Sequence, residues 1–303
     1  MSGMSLRYPL EFWQAVDARL VRDADALTPM ELHGGRWYKR DDLFMPYDDV
    51  PLSGGKVRQA IALLVHERER IVSDYGGVVL TATSVHSPQG LIIARVAHSL
   101  ALDCVIFVGA TTVGGALKRH AMLRRATLCG ATLDARARVG YEPALMGAAK
   151  QWQAEHDGHG YLVKFGINLE QHPDAIIGTT AAQVANLPHV VKTIVVPVGA
   201  GITAAGIILG AARFRPDVRV VCVQISGYDR RDTIDRIVDG LEYDWHVIDD
   251  VPYSRLVKRA VDRDLTLDPI YEAKAYDWML ERPELRGEHV CFWVVGDSRH
   301  VRA

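Results

Sequence analysis

Ile194–Gly206 reads IVVPVGAGITAAG: a short apolar run of strand-forming residues, a turn carrying Gly199 and Gly201, then small residues opening a further apolar run to Ala212. A continuous apolar strand fits a sheet covered on both faces. The stretch Ile194–Ala212 is uncharged and approaches the length of a membrane span. Pro197, Gly199, Gly201, Gly206 and Gly210 cut it into pieces, so it reads as buried strand, glycine turn and small-residue helix.

Working outward, the same grammar recurs. Val78–Ala82, Cys104–Gly109, Val218–Ile225 and Val290–Val295 are further β-rich runs. Val57, Ile61, Leu64, Val65 and Ile71 fall at helical spacing, as do Leu91, Ala94, Ala97 and Leu100. Alternating strands and helices predict an α/β fold with twisted, mainly parallel sheets covered by helices.

The chain has 303 residues, which suggests two domains at roughly 150 residues each. No tandem repeat or low-complexity linker marks a division, and the loop Glu155–Gly160 (EHDGHG) is the best local boundary. With 49% hydrophobic and 24% charged residues, the composition is that of a globular protein. A net charge of −2 excludes a globally basic nucleic-acid binder. Cys104, Cys129, Cys222 and Cys291 sit mostly in apolar runs and read as buried free thiols. No Cys spacing suggests zinc; His156 and His159 read as loop residues, so no metal is expected. The opening MSGMSLRYPLEFW lacks an apolar signal core, so the expectation is a cytoplasmic protein with no membrane partner.

Three segments carry chemistry. Tyr38–Leu43 (YKRDDL) is followed by Ser53–Arg58 (SGGKVR), which sets Lys56 after two glycines at the start of an amphipathic helix. A helix N-terminus opposes a lysine's positive charge, lowering its pKa and favouring the nucleophilic amine. The plain alternative is a solvated lysine in a glycine-rich cap. Gly199–Gly206 (GAGITAAG) aims backbone N–H groups at an anion such as phosphate. Gly199, Gly201 and Ala204 also match the dinucleotide pattern, but the next strand ends in Gln224 and Ser226, where an acidic ribose ligand is required. Tight helix–strand packing is the plain alternative here. Leu267–Met279 (LDPIYEAKAYDWM) offers Asp268 as a cap, Pro269 at the first helical position, and Tyr271 and Glu272 in the first turn. A lysine, a phosphate cradle and a Tyr–Glu pair together suit pyridoxal 5′-phosphate (PLP), which carries an aldehyde and a phosphate.

The chain resembles the fold-type-II PLP enzymes (tryptophan synthase β-like), in particular the 1-aminocyclopropane-1-carboxylate (ACC) deaminase and D-cysteine desulfhydrase group. Lys39-Arg40-Asp41-Asp42 and Gly54-Gly55-Lys56-x-Arg58 are similar to that family's K-R-E/D-D and G-G-N-K-x-R; Gly199–Gly206 is similar to its G-S-G-G-T-x-A-G; Leu267–Lys274 is similar to its L-D-P-V-Y-E/T-G-K. The matches run in the family's order across residues 38–274.

The resemblance implies a larger cofactor domain of residues 1–52 with 160–303, a smaller α/β domain of residues 53–159, and an active site between them. It implies Lys56 as the Schiff-base lysine and a phosphate site at Gly199, Ala200, Gly201, Ile202 and Thr203. Tyr271 would be the active-site phenol, and Glu272 the partner of the pyridine nitrogen. The implied activity is a lyase or deaminase acting on a small amino acid through a carbanionic intermediate, in a homodimer.

Departures bear on the substrate. The family's Q-S-N-Q/H segment corresponds to Ser84-Val85-His86-Ser87-Pro88-Gln89-Gly90, which puts Ser87 on the Ser and Pro88 on the Asn. Proline has no side-chain amide, so His86 or Gln89 would have to take over that cofactor contact. Ile202 replaces the third phosphate-loop glycine, and the family's late T-G-G is matched only by Val295-Gly296-Asp297. Lys118, Arg119, Arg124, Arg125, Arg136 and Arg138 face a single acid, Asp134, in the stretch 118–138. A solvated helix face is the plain reading; a patch for a phosphorylated or polynucleotide substrate is the sharper one. Two alternatives therefore stand beside the first activity: a PLP enzyme acting on an amino acid attached to a modified nucleobase, and a PLP-binding protein with altered catalysis.

Overall fold

The computed structural model describes residues 19–85, 87–167, 173–225, 229–252 and 255–296. The chain divides into two compact units, Met1–Ala24 with Gln59–His172 and His300–Ala303, and Asp25–Arg58 with Pro173–Arg299. The expectation grouped residues 1–52 with 160–303 and set 53–159 apart; here Met1–Ala24 and His300–Ala303 count with the first unit. Lys56 counts with the second unit, and residues up to 172 count with the first.

A hairpin opens the second unit, with β1 (Met30–His33) antiparallel to β2 (Arg36–Arg40) around Gly34 and Gly35. The chain then enters the first unit. There β3 (Val78–Thr83), β4 (Asp103–Val108), β5 (Thr132–Asp134) and β6 (Tyr161–Val163) form a parallel sheet in the order β5-β4-β3-β6. Because β6 pairs with β3, residues 161–163 lie in this smaller sheet, beyond the boundary at 159/160 expected from the loop. Leu80, Ala82, Val105 and Phe107 pack on Leu145, Ala148 and Ala149 of the helix Glu142–Glu155.

Back in the second unit, β7 (Thr193–Val198), β8 (Arg219–Ile225), β9 (Asp244–Ile248) and β10 (Val290–Val294) join the hairpin in one sheet ordered β1-β2-β10-β7-β8-β9. All pairings except β1–β2 are parallel. The last strand in sequence thus sits in the middle of the sheet. Side chains alternate between faces, as strand geometry requires. Val196, Val198, Val220, Cys222, Cys291 and Trp293 pack against the helix Ile202–Phe214, while Val195, Val221, Val223, Phe292 and Val294 pack against the helix Glu272–Leu280. Burial on both faces explains the uninterrupted apolar runs. Phe292 is fully buried, so Phe292→Ala should cost about 3–5 kcal/mol. Pro197 is tolerated because pairing with β10 ends at Val195, which leaves that edge of β7 free of a ladder.

All four cysteines are free and buried. Among the described residues, no helix is long and apolar enough to cross a membrane.

Candidate active site

In an open parallel sheet, ligands gather at the carboxyl ends of the strands. In the second unit, the turns leaving β7 and β10, the start of the helix Gly55–Asp74 and the start of the helix Glu272–Leu280 meet through short contacts.

The lysine turn is fixed first. Gly54 donates its N–H to Phe44 O at 3.1 Å, and Gly55 donates to Val295 O at 3.0 Å. Gly54 has φ +90°, and a Cβ there would lie 2.2 Å from Val295 O. Only glycine meets both conditions. A Cβ on Gly55 would lie 3.0 Å from Asp41 Oδ2 and 3.7 Å from Thr203 Oγ1. The turn bearing Lys56 therefore rests directly against the glycine-rich segment after β7. Lys56 is half-buried, and loss of solvent pushes its ammonium pKa down, which favours the free amine.

The anion cradle follows. Gly201, with φ +91°, caps the helix Ile202–Phe214 without any side-chain hydrogen bond. The helix ladder starts with the Ala205 N–H donating to Gly201 O at 2.9 Å, so the N–H groups of Ile202, Thr203 and Ala204 precede it. Ile202 keeps its backbone N–H and buries its side chain, so its replacement of the family's glycine leaves the turn intact. A Cβ on Gly199 would meet Tyr271 Cε1 at 3.1 Å, so the edge of the tyrosine ring borders the space glycine leaves.

Glu272 closes the arrangement. It is fully buried; Asp268 donates its backbone N–H to Oε2 at 2.7 Å and Gly296 donates to Oε1 at 3.1 Å. Asp268 Oδ1 in turn accepts the N–H groups of Ile270 and Tyr271 at 2.9 and 3.0 Å, a reciprocal capping arrangement. Burial, reinforced by the nearby Asp268 charge, raises the Glu272 pKa well above the usual carboxylate range. Gly296 also abuts the lysine turn, since a Cβ there would lie 2.9 Å from Ser53 O.

Lys56, Gly199–Thr203, Tyr271 and Glu272 are thus brought together. The other proposed contacts belong to the first unit. Ser87 Oγ accepts the Gln89 N–H at 3.3 Å, just ahead of the helix Gln89–Ser99, whose N-cap is Pro88. Gln89 is buried; its Nε2 donates to Thr81 Oγ1 and Lys164 O, and its Oε1 accepts the Gly166 N–H. Its amide holds β3 to the segment after β6. His86 lies outside the described residues.

A buried polar layer escaped the sequence reading. Arg58 Nη1 donates to Asp41 Oδ1 at 2.6 Å, both side chains being wholly buried. Lys39 Nζ, equally buried, donates to Thr28 O at 2.8 Å and Asn186 Oδ1 at 2.6 Å. Burial lowers the Lys39 pKa to about 8. The partners of these charges are distant in sequence, and no local spacing announces them.

Residues 23–281 match the family described as "Pyridoxal-phosphate dependent enzyme". The chain is 23% identical to the O-seryl-dTMP PLP-dependent decarboxylase of Salmonella phage ViI, over 88% of this chain and 78% of that protein. Among solved structures it is similar to an ACC deaminase homologue (TM-score 0.72, 19% identity, 89% of each chain). It is also similar to an O-acetylserine dependent cystathionine beta-synthase from Helicobacter pylori (TM-score 0.64, 16% identity, 92% of this chain and 95% of that one). These structural likenesses bear out the fold-type-II architecture. The donor set fits the family's cofactor: an amine of lowered pKa, a glycine turn leading into a helix N-terminus for a phosphate, and a buried carboxyl group.

Proposed function

The chain belongs to the pyridoxal-phosphate dependent enzyme family, and from that premise we propose that it decarboxylates an amino acid carried on a nucleotide. The observation that carries this reading is the likeness to the O-seryl-dTMP decarboxylase along 88% of the chain.

Pyridoxal phosphate, when bound, supplies an electron sink for the bond broken at the substrate's α-carbon. Lys56 Nζ would hold the aldehyde carbon while resting, and after release would carry the proton that the α-carbon takes up as CO2 leaves. The N–H groups of Ile202, Thr203 and Ala204 would bind the phosphate at the helix start. Tyr271, whose ring edge borders Gly199, would bound the space beside that phosphate turn. Each Glu272 oxygen accepts one backbone N–H and retains a second lone pair for the ring nitrogen's proton.

A second reading, a lyase or deaminase acting on a small free amino acid, is favoured by Leu267–Lys274, where the Tyr271–Glu272 pair is similar to that of the ACC deaminase group. One assay separates the two. PLP-loaded protein is incubated with O-seryl-dTMP and, separately, with L-serine, ACC and D-cysteine; CO2, ammonia and 2-oxo acid are measured. CO2 from the nucleotide alone supports the first reading. Ammonia and a 2-oxo acid from a free amino acid overturn it in favour of the second.

A further inference from the structure

The helix Gly55–Asp74 carries Lys56 on its second residue and Arg58 two residues later. An α-helix turns about 100° per residue, so these side chains leave it about 200° apart. Fixing the direction of Arg58 therefore fixes the opposite direction for Lys56.

Arg58 is fixed from several sides. Its Nη1 is 2.6 Å from Asp41 Oδ1, and its guanidinium carbon lies 4.2 Å above the Phe44 ring. Asp41 and Phe44 belong to one tight turn after β2, closed by the Phe44 N–H donating to Asp41 O at 3.0 Å. Phe44 O then accepts the Gly54 N–H. Asp41 Oδ2 has no hydrogen-bond partner among the described residues and faces Gly55, where a Cβ would meet it at 3.0 Å. The carboxylate is thus wedged between Arg58 and the first turn of the lysine helix. Both ions are withdrawn from water, where a surface pair would contribute little.

We propose that the Asp41–Arg58 pair is a rotational anchor: it sets the angle at which the helix presents Lys56 and so governs how readily Nζ reaches the cofactor aldehyde. Both are positioning residues. The inference rests on Lys56 as the attachment lysine and is independent of which substrate is used.

The test compares two readouts in wild type, Arg58→Lys, Asp41→Glu and the double variant Asp41→Asn/Arg58→Met. The first is binding of pyridoxine 5′-phosphate, which has no aldehyde and reports the phosphate cradle and ring pocket alone. The second is the rate at which PLP becomes fixed to Lys56 when apoprotein is mixed with it and quenched with borohydride, read by peptide mass. The double variant should fix PLP about a hundredfold more slowly, the scale of a displacement of about 1 Å, with pyridoxine 5′-phosphate affinity unchanged. Arg58→Lys and Asp41→Glu retain both buried charges, should fold, and should fall between. If the double variant does not fold, these two decide the matter. Folded variants that fix PLP at the wild-type rate overturn the proposal, as do variants that lose both readouts in proportion. Fixation on another lysine overturns it together with the Lys56 assignment, while the CO2 assay still decides the substrate.

Discussion

Asp268 and Glu272 hold each other at the head of the helix Glu272–Leu280: the Asp268 N–H reaches Glu272 Oε2 at 2.7 Å, while the Asp268 carboxylate gathers the N–H groups of Ile270 and Tyr271. The residue proposed to face the cofactor ring is thus also a structural cap, and its ionisation is coupled to folding.

That coupling has a sign. The Glu272 pKa is raised in the folded protein from the ordinary 4.5. Above that value the unfolded chain gives up the proton first, so the folded apoprotein holds more protons and loses stability as pH rises. Glu272→Gln removes this titration. Gln should be less stable by about 1–3 kcal/mol near pH 4.5, because one backbone N–H faces an amide donor. The gap should narrow as pH rises, measured by urea denaturation of apoprotein across pH.

Lys39 gives the opposite slope. Its folded pKa of about 8 lies below the ordinary 10.5, so between those values the unfolded chain binds more protons and stability rises with pH. The stability of wild type relative to Lys39→Met should climb by on the order of 3 kcal/mol from pH 8 to 10.5. A flat difference would show that the ammonium is solvated.

Lys56→Ala should abolish the absorbance band of lysine-bound PLP and all turnover. Persistence of the band in dialysed Lys56→Ala protein would move the attachment to another lysine.

The two glycines on either side of the site should separate fold from function. Gly54→Ala combines φ +90° with a Cβ 2.2 Å from Val295 O and should destabilise strongly, with backbone strain alone costing about 1–2 kcal/mol. Gly199→Ala meets only the movable Tyr271 ring at 3.1 Å. It should melt close to wild type while binding PLP more weakly, read by thermal melts and cofactor titration.

What was legible in the sequence follows from burial. The runs at 78–82, 194–198, 218–225 and 290–295 became strands within one residue at each end, because sheets covered on both faces leave an unbroken apolar signature. β5 and β6 have three residues each, too few to show a period, and β9 (DWHVI) is a partly exposed edge strand. The hairpin β1–β2 does carry a local signal, a Gly34-Gly35 turn between two strand-like segments. At the site, the lysine turn, the glycine turn and the Tyr–Glu pair were legible because each needs a local sequence form. The Asp41–Arg58 pair, the Lys39 contacts with Thr28 and Asn186, and the service of Gln89 as a clamp were not, since long-range partners fix them.

The place of β10 between β2 and β7 governs assembly during synthesis. Its neighbours leave the ribosome long before it does and have no strand to bridge them until Val290–Val294 emerges. The Val295 carbonyl that receives Gly55 arrives at the same moment. A nascent chain halted before that point lacks both the strand that joins β2 to β7 and the carbonyl that completes the lysine turn.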